Sequence, residues 1–225
     1  MSALTIQLAK LDKLRELFQF FNSGKHLNRL SEPELWAALE QQQAQYQTLF
    51  EQLGYRLRID GRGFAWFHTE DSNSNVSKTT RNLALVLMVL FDYQADNQQS
   101  LARFSDWLID SLLLQAIFDK HKELLLAEGL DVDAMTQIYD TAVRYGFAQS
   151  QDSAWRLLPA AARYLDHFEE LAQHHTQKKT QSTPSKRKTC HEYDLWFSTL
   201  GVIKQCRLPT SGITFRCLGI VSCAQ

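Results

Sequence analysis

The stretch from Leu53 to His68, Leu-Gly-Tyr-Arg-Leu-Arg-Ile-Asp-Gly-Arg-Gly-Phe-Ala-Trp-Phe-His, constrains the fold of this chain more than any other. Its first half alternates: Tyr55, Leu57 and Ile59 interleave with Arg56, Arg58 and Asp60, the period of a strand with one buried face. Asp60-Gly61-Arg62-Gly63 carries tight-turn chemistry, because glycine tolerates the positive φ that hairpin turns demand. Phe64 to His68 is aromatic and returns as the partner strand. A helical pattern runs up to this hairpin, and Gly54 suits the left-handed residue that closes a helix.

The same order recurs 92 residues downstream, from Gly54 to Gly146. A helical pattern ends at Tyr145, Gly146 stops it, and Phe147 to Ser150 leads through the polar turn Gln151-Asp152-Ser153 into Ala154-Trp155-Arg156-Leu157-Leu158. A helix feeding a short two-stranded hairpin is the signature of a winged helix. Two copies predict a mainly α chain with small β-hairpins, an α+β fold of tandem winged-helix domains over 4–72 and 76–172, divided at the polar loop Asp71-Ser72-Asn73-Ser74-Asn75.

Between the hairpins the periodicity is helical. Leu11, Leu14, Leu17, Phe18 and Phe21 give one apolar face to a helix over Thr5–Phe21. Ser31-Glu32-Pro33-Glu34 reads as a capping box for the next helix, which breaks near Gln41-Gln42-Gln43. Leu83 to Phe91 is apolar nearly all round and predicts a central helix. Leu101 to Ala127 reads as one helix ending at Gly129, Asp131 or Asp133 caps the next, and Tyr164, Leu165, Phe168 and Leu171 give the last. The longest apolar run, Leu83 to Phe91, is far short of the roughly 20 residues that cross a bilayer. Lys10 and Lys13 lie inside an amphipathic pattern and not ahead of an apolar run, so no signal peptide is read, and no membrane association and a cytoplasmic location are expected.

Charge divides the chain. Of 24 Lys and Arg, eight lie after residue 175; of 25 Asp and Glu, only Glu192 and Asp194 do. The first 175 residues therefore hold 16 basic and 23 acidic side chains. All four cysteines (Cys190, Cys206, Cys217, Cys223) also follow residue 175, behind a polar basic linker from Thr176 to Lys188 with a disordered composition. The segment 176–225 is thus a linker and an atypical tail, either a natural extension or a reading-frame accident.

Gly24-Lys25-His26-Leu27-Asn28-Arg29, the Leu-Gly-Tyr-Arg-Leu start of the first hairpin, the Leu83–Phe91 helix and the Tyr-Gly-Phe…Trp-Arg-Leu-Leu-Pro-Ala…Arg-Tyr-Leu block together resemble the MukE/MksE-type subunit of bacterial condensins, over about residues 4–172. These are kite proteins, kleisin-interacting tandem winged-helix elements, with a sister branch in the plasmid-defence condensin called Wadjet. The resemblance implies a non-SMC subunit, not an enzyme. It implies a kleisin partner of the MukF/MksF type, an SMC ATPase of the MukB/MksB type reached through the kleisin, double-stranded DNA within the complex, a homodimer and a nucleoid-associated place in the cell. Two small domains cannot hide all 5 Trp, 7 Tyr and 13 Phe. An apolar groove along the wings and the Leu101–Ala127 helix is therefore expected, filled by a kleisin segment or a second copy of the chain.

The residues themselves offer little catalytic chemistry. There is no Gly-x-Ser-x-Gly, no glycine-rich phosphate loop and no HExxH, so no catalytic residue and no cofactor is assigned. The tail cysteines form no CxxC clip and no metal site is assigned. His26, His68, His121 and His167 stand singly and read as surface or half-buried. Arg56, Arg58 and Arg62 project from one hairpin and are the first candidates for phosphate contact. Lys78, Arg81, Arg156 and Arg163 are candidates near the second. An acidic body repels DNA at long range, which suits protein partners with DNA contact confined to a small patch. The rival reading, a stand-alone winged-helix transcription regulator, needs a basic helix before the wing. Gln41 to Gln52 has no Lys or Arg, and Asp133 to Tyr145 has only Arg144. Because the tail shows no periodic apolar face, deletion of 176–225 is expected to leave the thermal midpoint and complex formation unchanged; loss of either in a melting or gel-filtration comparison makes the tail functional.

Overall fold

The computed structural model describes residues 8–68 and 78–180. These residues are mainly helical with two small antiparallel sheets, as the α+β reading expects. After a short helical turn at Leu8–Lys10, Lys13 takes φ 55°, so the expected Thr5–Phe21 helix is broken and α1 runs over Leu14–Asn22. With that break Leu11, Leu17 and Phe21 all reach one core. The capping box does not form. Glu32, not Ser31, precedes α2 (Pro33–Gln41), without a side-chain cap. Glu34 turns instead to Lys13, Nζ to Oε2 at 2.7 Å. This contact holds the Glu34 carboxyl below its usual range and the Lys13 ammonium above its own. The break near the glutamine run falls at Gln42, and α3 (Gln43–Gln52) follows.

The first sheet has the strand order β1-β3-β2, with β1 at Leu27–Asn28, β2 at Arg56–Asp60 and β3 at Phe64–His68. Leu57 faces Phe67 and Ile59 faces Ala65, so the apolar alternate residues share one face. That face closes on α1 and α3. Phe67 is the hub, with ring centroids 5.0 Å from Phe21, 5.1 Å from Phe50 and 4.8 Å from Tyr55. Tyr46 is fully buried, its hydroxyl donates to the Asp12 carbonyl, and burial pushes its pKa up to about 12.

Leu101 to Ala127 is not one helix. It divides into a turn at Leu101–Asp106, α5 (Ser111–Lys120) and α6 (Lys122–Ala127). The cause lies at residues 109 and 110. Ile109 exchanges both backbone bonds with Trp155, at 2.8 and 2.9 Å, and Asp110 accepts from the Leu113 N–H to cap α5. Of the two candidate caps for α7 (Val132–Tyr145), Asp131 is the one used, accepting from the Ala134 N–H at 2.8 Å. The second hairpin is β4 (Ala148–Gln151) and β5 (Ala154–Leu157). Each hairpin is thus flanked by a piece of strand drawn from between helices, Leu27–Asn28 against β3 and Ile109 against β5.

Backbone contacts gather residues 8–68 and 103–162 into one compact unit, and 78–102 with 163–180 into another. The sequence boundaries 4–72 and 76–172 follow the repeat instead. Within the first unit, the His26 backbone N–H donates to the Tyr145 carbonyl at 2.9 Å. The buried Asn28 Nδ2 donates to the carbonyls of His26 at 3.0 Å and Gly146 at 2.8 Å, while its Oδ1 accepts from the Ala160 N–H at 3.2 Å. Gly146 has φ +80°, and a Cβ there would lie 2.2 Å from the His26 carbonyl oxygen. The second unit pairs α4 (Lys78–Asp96) with α8 (Ala162–Thr180), where Phe91 meets Phe168 edge-on at 6.3 Å. Leu83 to Leu87 and Val89 to Phe91 are all buried, as a helix apolar all round requires.

Gly129 is also left-handed, but a Cβ there would meet nothing within 4 Å, so its substitution isolates the backbone cost alone, about 1–2 kcal/mol. Gly146→Ala is expected to lose clearly more than Gly129→Ala in denaturant unfolding; equal losses refute the close approach. Asn28→Leu strands three buried backbone groups, each worth about 1–3 kcal/mol, so a fall in the thermal midpoint of several degrees is expected.

Candidate functional site

On β2, Arg56 and Arg58 point to the face opposite Leu57 and are exposed, set across from His68 and Trp66 on β3. Arg62 behaves differently. It folds back on Asp60, with N and Nε donating to Oδ1 at 2.8 and 2.9 Å and Nη2 to Oδ2 at 2.9 Å. It also lies 5.5 Å over the Phe64 ring. The Arg62 contact holds the Asp60 carboxyl below its usual range. The turn therefore sets Arg62 against an opposite charge, while Arg58 stands exposed on the outward face of β2.

Of the other predicted contacts, Arg156 lies half-buried on β5, its Nε out of water and without a hydrogen-bond acceptor. Lys78 is exposed at the start of α4, and Arg81 one turn later is half-buried with its Nε in the same state as that of Arg156. Arg163 is half-buried, and desolvation lowers its pKa against the opposing effect of Tyr164. Lys78, Arg81 and Arg163 belong to the second compact unit, and Arg56, Arg58, Arg62 and Arg156 to the first. Two of the histidines differ from expectation. His26 and His121 are buried, His26 because its ring packs 4.3 Å from Phe147 and its Nδ1 sits 3.3 Å from the Tyr145 carbonyl. His68 is exposed and His167 half-buried. Among the described residues no group of three or more His, Cys, Asp or Glu could hold a metal, and the four cysteines lie outside them. Among the described residues no helix is long and apolar enough to cross a membrane.

Two surface features add to these cations. Leu108, Leu112 and Leu126 are 49%, 78% and 51% exposed, all within the segment expected to line an apolar groove. The second feature is not foreshadowed by any sequence pattern. An open pocket of about 240 Å³ lies where α2 and α3 meet the first hairpin turn, lined by Arg29, Trp36, Leu39, Glu40, Gln43, Ile59, Asp60 and Gly61. Arg29 Nη2 pairs with Glu40 Oε1 at 3.0 Å and its guanidinium sits 5.3 Å over the Trp36 ring. Trp36 is 5% exposed, and its indole N–H has no acceptor among the described residues. Apolar spacing places Trp36 in a core; no spacing reveals that its N–H is unsatisfied.

The family model for condensin complex protein MksE matches residues 12–169, and the chain belongs to that family. A search of the curated proteins finds no match.

Charge reversal of Arg56, Arg58 and Arg62 together is expected to weaken DNA association of the assembled complex and leave the fold intact. In a salt titration the slope should fall by about 0.9 for each phosphate that is no longer neutralised, with Arg58→Glu contributing more than Arg62→Glu. An unchanged slope removes the hairpin from the DNA interface.

Proposed function

We propose that this chain is the kite-type, non-enzymatic subunit of a bacterial condensin. In this reading it is built of tandem winged-helix elements, binds the kleisin, reaches the SMC ATPase through it and forms a homodimer. Held on the nucleoid in the cytoplasm, it helps the complex engage double-stranded DNA for chromosome organisation or plasmid defence. The observation that carries the reading is the MksE family match over residues 12–169, which includes both hairpins. The repeated order of helix, short strand, helices and hairpin supports the winged-helix description.

Surface chemistry supports a protein partner over a free-standing role on DNA. α3, which precedes the first hairpin, has no Lys or Arg, and α7 has only Arg144, so neither resembles a recognition helix that reads a groove. Exposed Leu108, Leu112 and Leu126 supply apolar surface of the kind that interfaces cover. Arg56 and Arg58, with Arg62, Lys78, Arg81, Arg156 and Arg163 in lesser roles, are the proposed phosphate contacts.

Co-expression of the chain with its kleisin and SMC neighbours, followed by gel filtration, tests the reading. A stable complex with the kleisin, weakened by Leu108→Glu with Leu112→Glu at unchanged melting temperature, is the expected result. A chain that ignores the kleisin and binds a short DNA duplex tightly by itself is a transcription regulator instead. Deletion strains scored for nucleoid segregation and for plasmid retention separate the two cellular roles.

A further inference from the structure

We infer that the Trp36 pocket and the adjoining outer edge of β2 form a docking track for an extended segment of the kleisin, which adds as a strand and places one uncharged side chain in the pocket. The inference rests on the kleisin reading above and assigns it a place. β2 is the terminal strand of its sheet, so along its outer edge no strand of the described residues takes up its backbone N–H and C=O groups. Such an edge is a template for an incoming extended chain, in which main-chain bonds give affinity and side-chain pockets give register. The pocket stands at the turn end of β2, because its lining includes Ile59 and Asp60 of that strand and Gly61 after them.

The chemistry of the pocket selects the occupant. Trp36, Leu39 and Ile59 are apolar, and 240 Å³ is far more than a single water needs. The Trp36 N–H is shut off from water and lacks an acceptor among the described residues, a cost the fold carries at this place. The three charged groups that line the pocket are already matched inside the protein, Arg29 with Glu40 at 3.0 Å and Asp60 with Arg62 at 2.9 Å. A phosphate or carboxylate entering here would meet Glu40 and Asp60, and an ammonium would meet Arg29 and Arg62. An uncharged side chain carried on polypeptide meets neither penalty, which favours the kleisin over DNA at this place.

The test uses the full chain and the recombinant kleisin. Gln43 lies on the pocket rim outside the hydrophobic core, so Gln43→Trp fills the pocket without disturbing that core; Gln19→Trp on α1, away from the pocket, is the control. Gln43→Trp should weaken kleisin binding by about tenfold or more while Gln19→Trp does not. The Trp36 indole N–H resonance, assigned by its loss in Trp36→Phe, should shift when kleisin is added, and the amides of β2 should gain protection in hydrogen exchange. Kleisin that binds wild type and Gln43→Trp equally, with the indole signal unmoved, overturns the track and leaves the kleisin reading standing. Failure of the wild-type chain to bind kleisin at all overturns both. An indole shift caused by a short DNA duplex and not by kleisin overturns the assignment of the occupant.

Discussion

The contact on which the hairpin-bearing unit depends is the seating of the His26–Asn28 segment on the end of α7. Asn28 is fully buried and satisfies three backbone groups, two of them from distant parts of the chain. Gly146 makes the approach possible twice over, because the helix must turn left-handed there and because the His26 carbonyl occupies the space of a side chain. Orphaned buried backbone groups are costly, so a side chain that pairs three of them acts as a rivet. Around it His26 packs against Phe147, and the aromatic core headed by Phe67 closes on the same small sheet.

That arrangement leaves the outward faces available for recognition. Where the hairpin turns, Arg62 is folded onto Asp60, while Arg56 and Arg58 stand exposed on the face opposite Leu57. Arg29 and Glu40 match each other beside Trp36. Charges matched within the chain contribute little to attracting DNA over distance, and the acidic excess of the first 175 residues opposes it. Under the proposed function, the chain would meet DNA when other subunits of the complex hold it near, and would meet polypeptide through its exposed leucines and the edge of β2.

Several elements were legible in order and type. The two hairpins follow from alternation and turn residues, and the break at Gln42 from the glutamine run. The stops at Gly54 and Gly146 follow from glycine's access to positive φ, and the apolar α4 from its unbroken Leu83–Phe91 run. The failures share one cause. Ser31 has the chemistry of a cap, but Lys13, 21 residues before Glu34, draws that carboxylate away. Leu101–Ala127 has helical spacing throughout, but Trp155 claims the backbone of Ile109. In each case a partner remote in sequence outweighs a local preference worth about 1 kcal/mol.

The mainly helical class, the two hairpins and the acidic balance can be read from the residues alone, because each is written in local periodicity or in side-chain composition, while the resemblance to the family is carried by short motifs along the chain. Only the tertiary structure decided that Asn28 and Gly146 meet, that His26 and His121 are buried, that Arg62 is set against Asp60 while Arg58 is exposed, and that Trp36 keeps an unsatisfied N–H beside an open pocket. The Asn28–Gly146 contact joins groups 118 residues apart, and even the Arg62–Asp60 pair, two residues apart, forms only because the turn brings its atoms within hydrogen-bonding distance; residue spacing carries no record of either geometry.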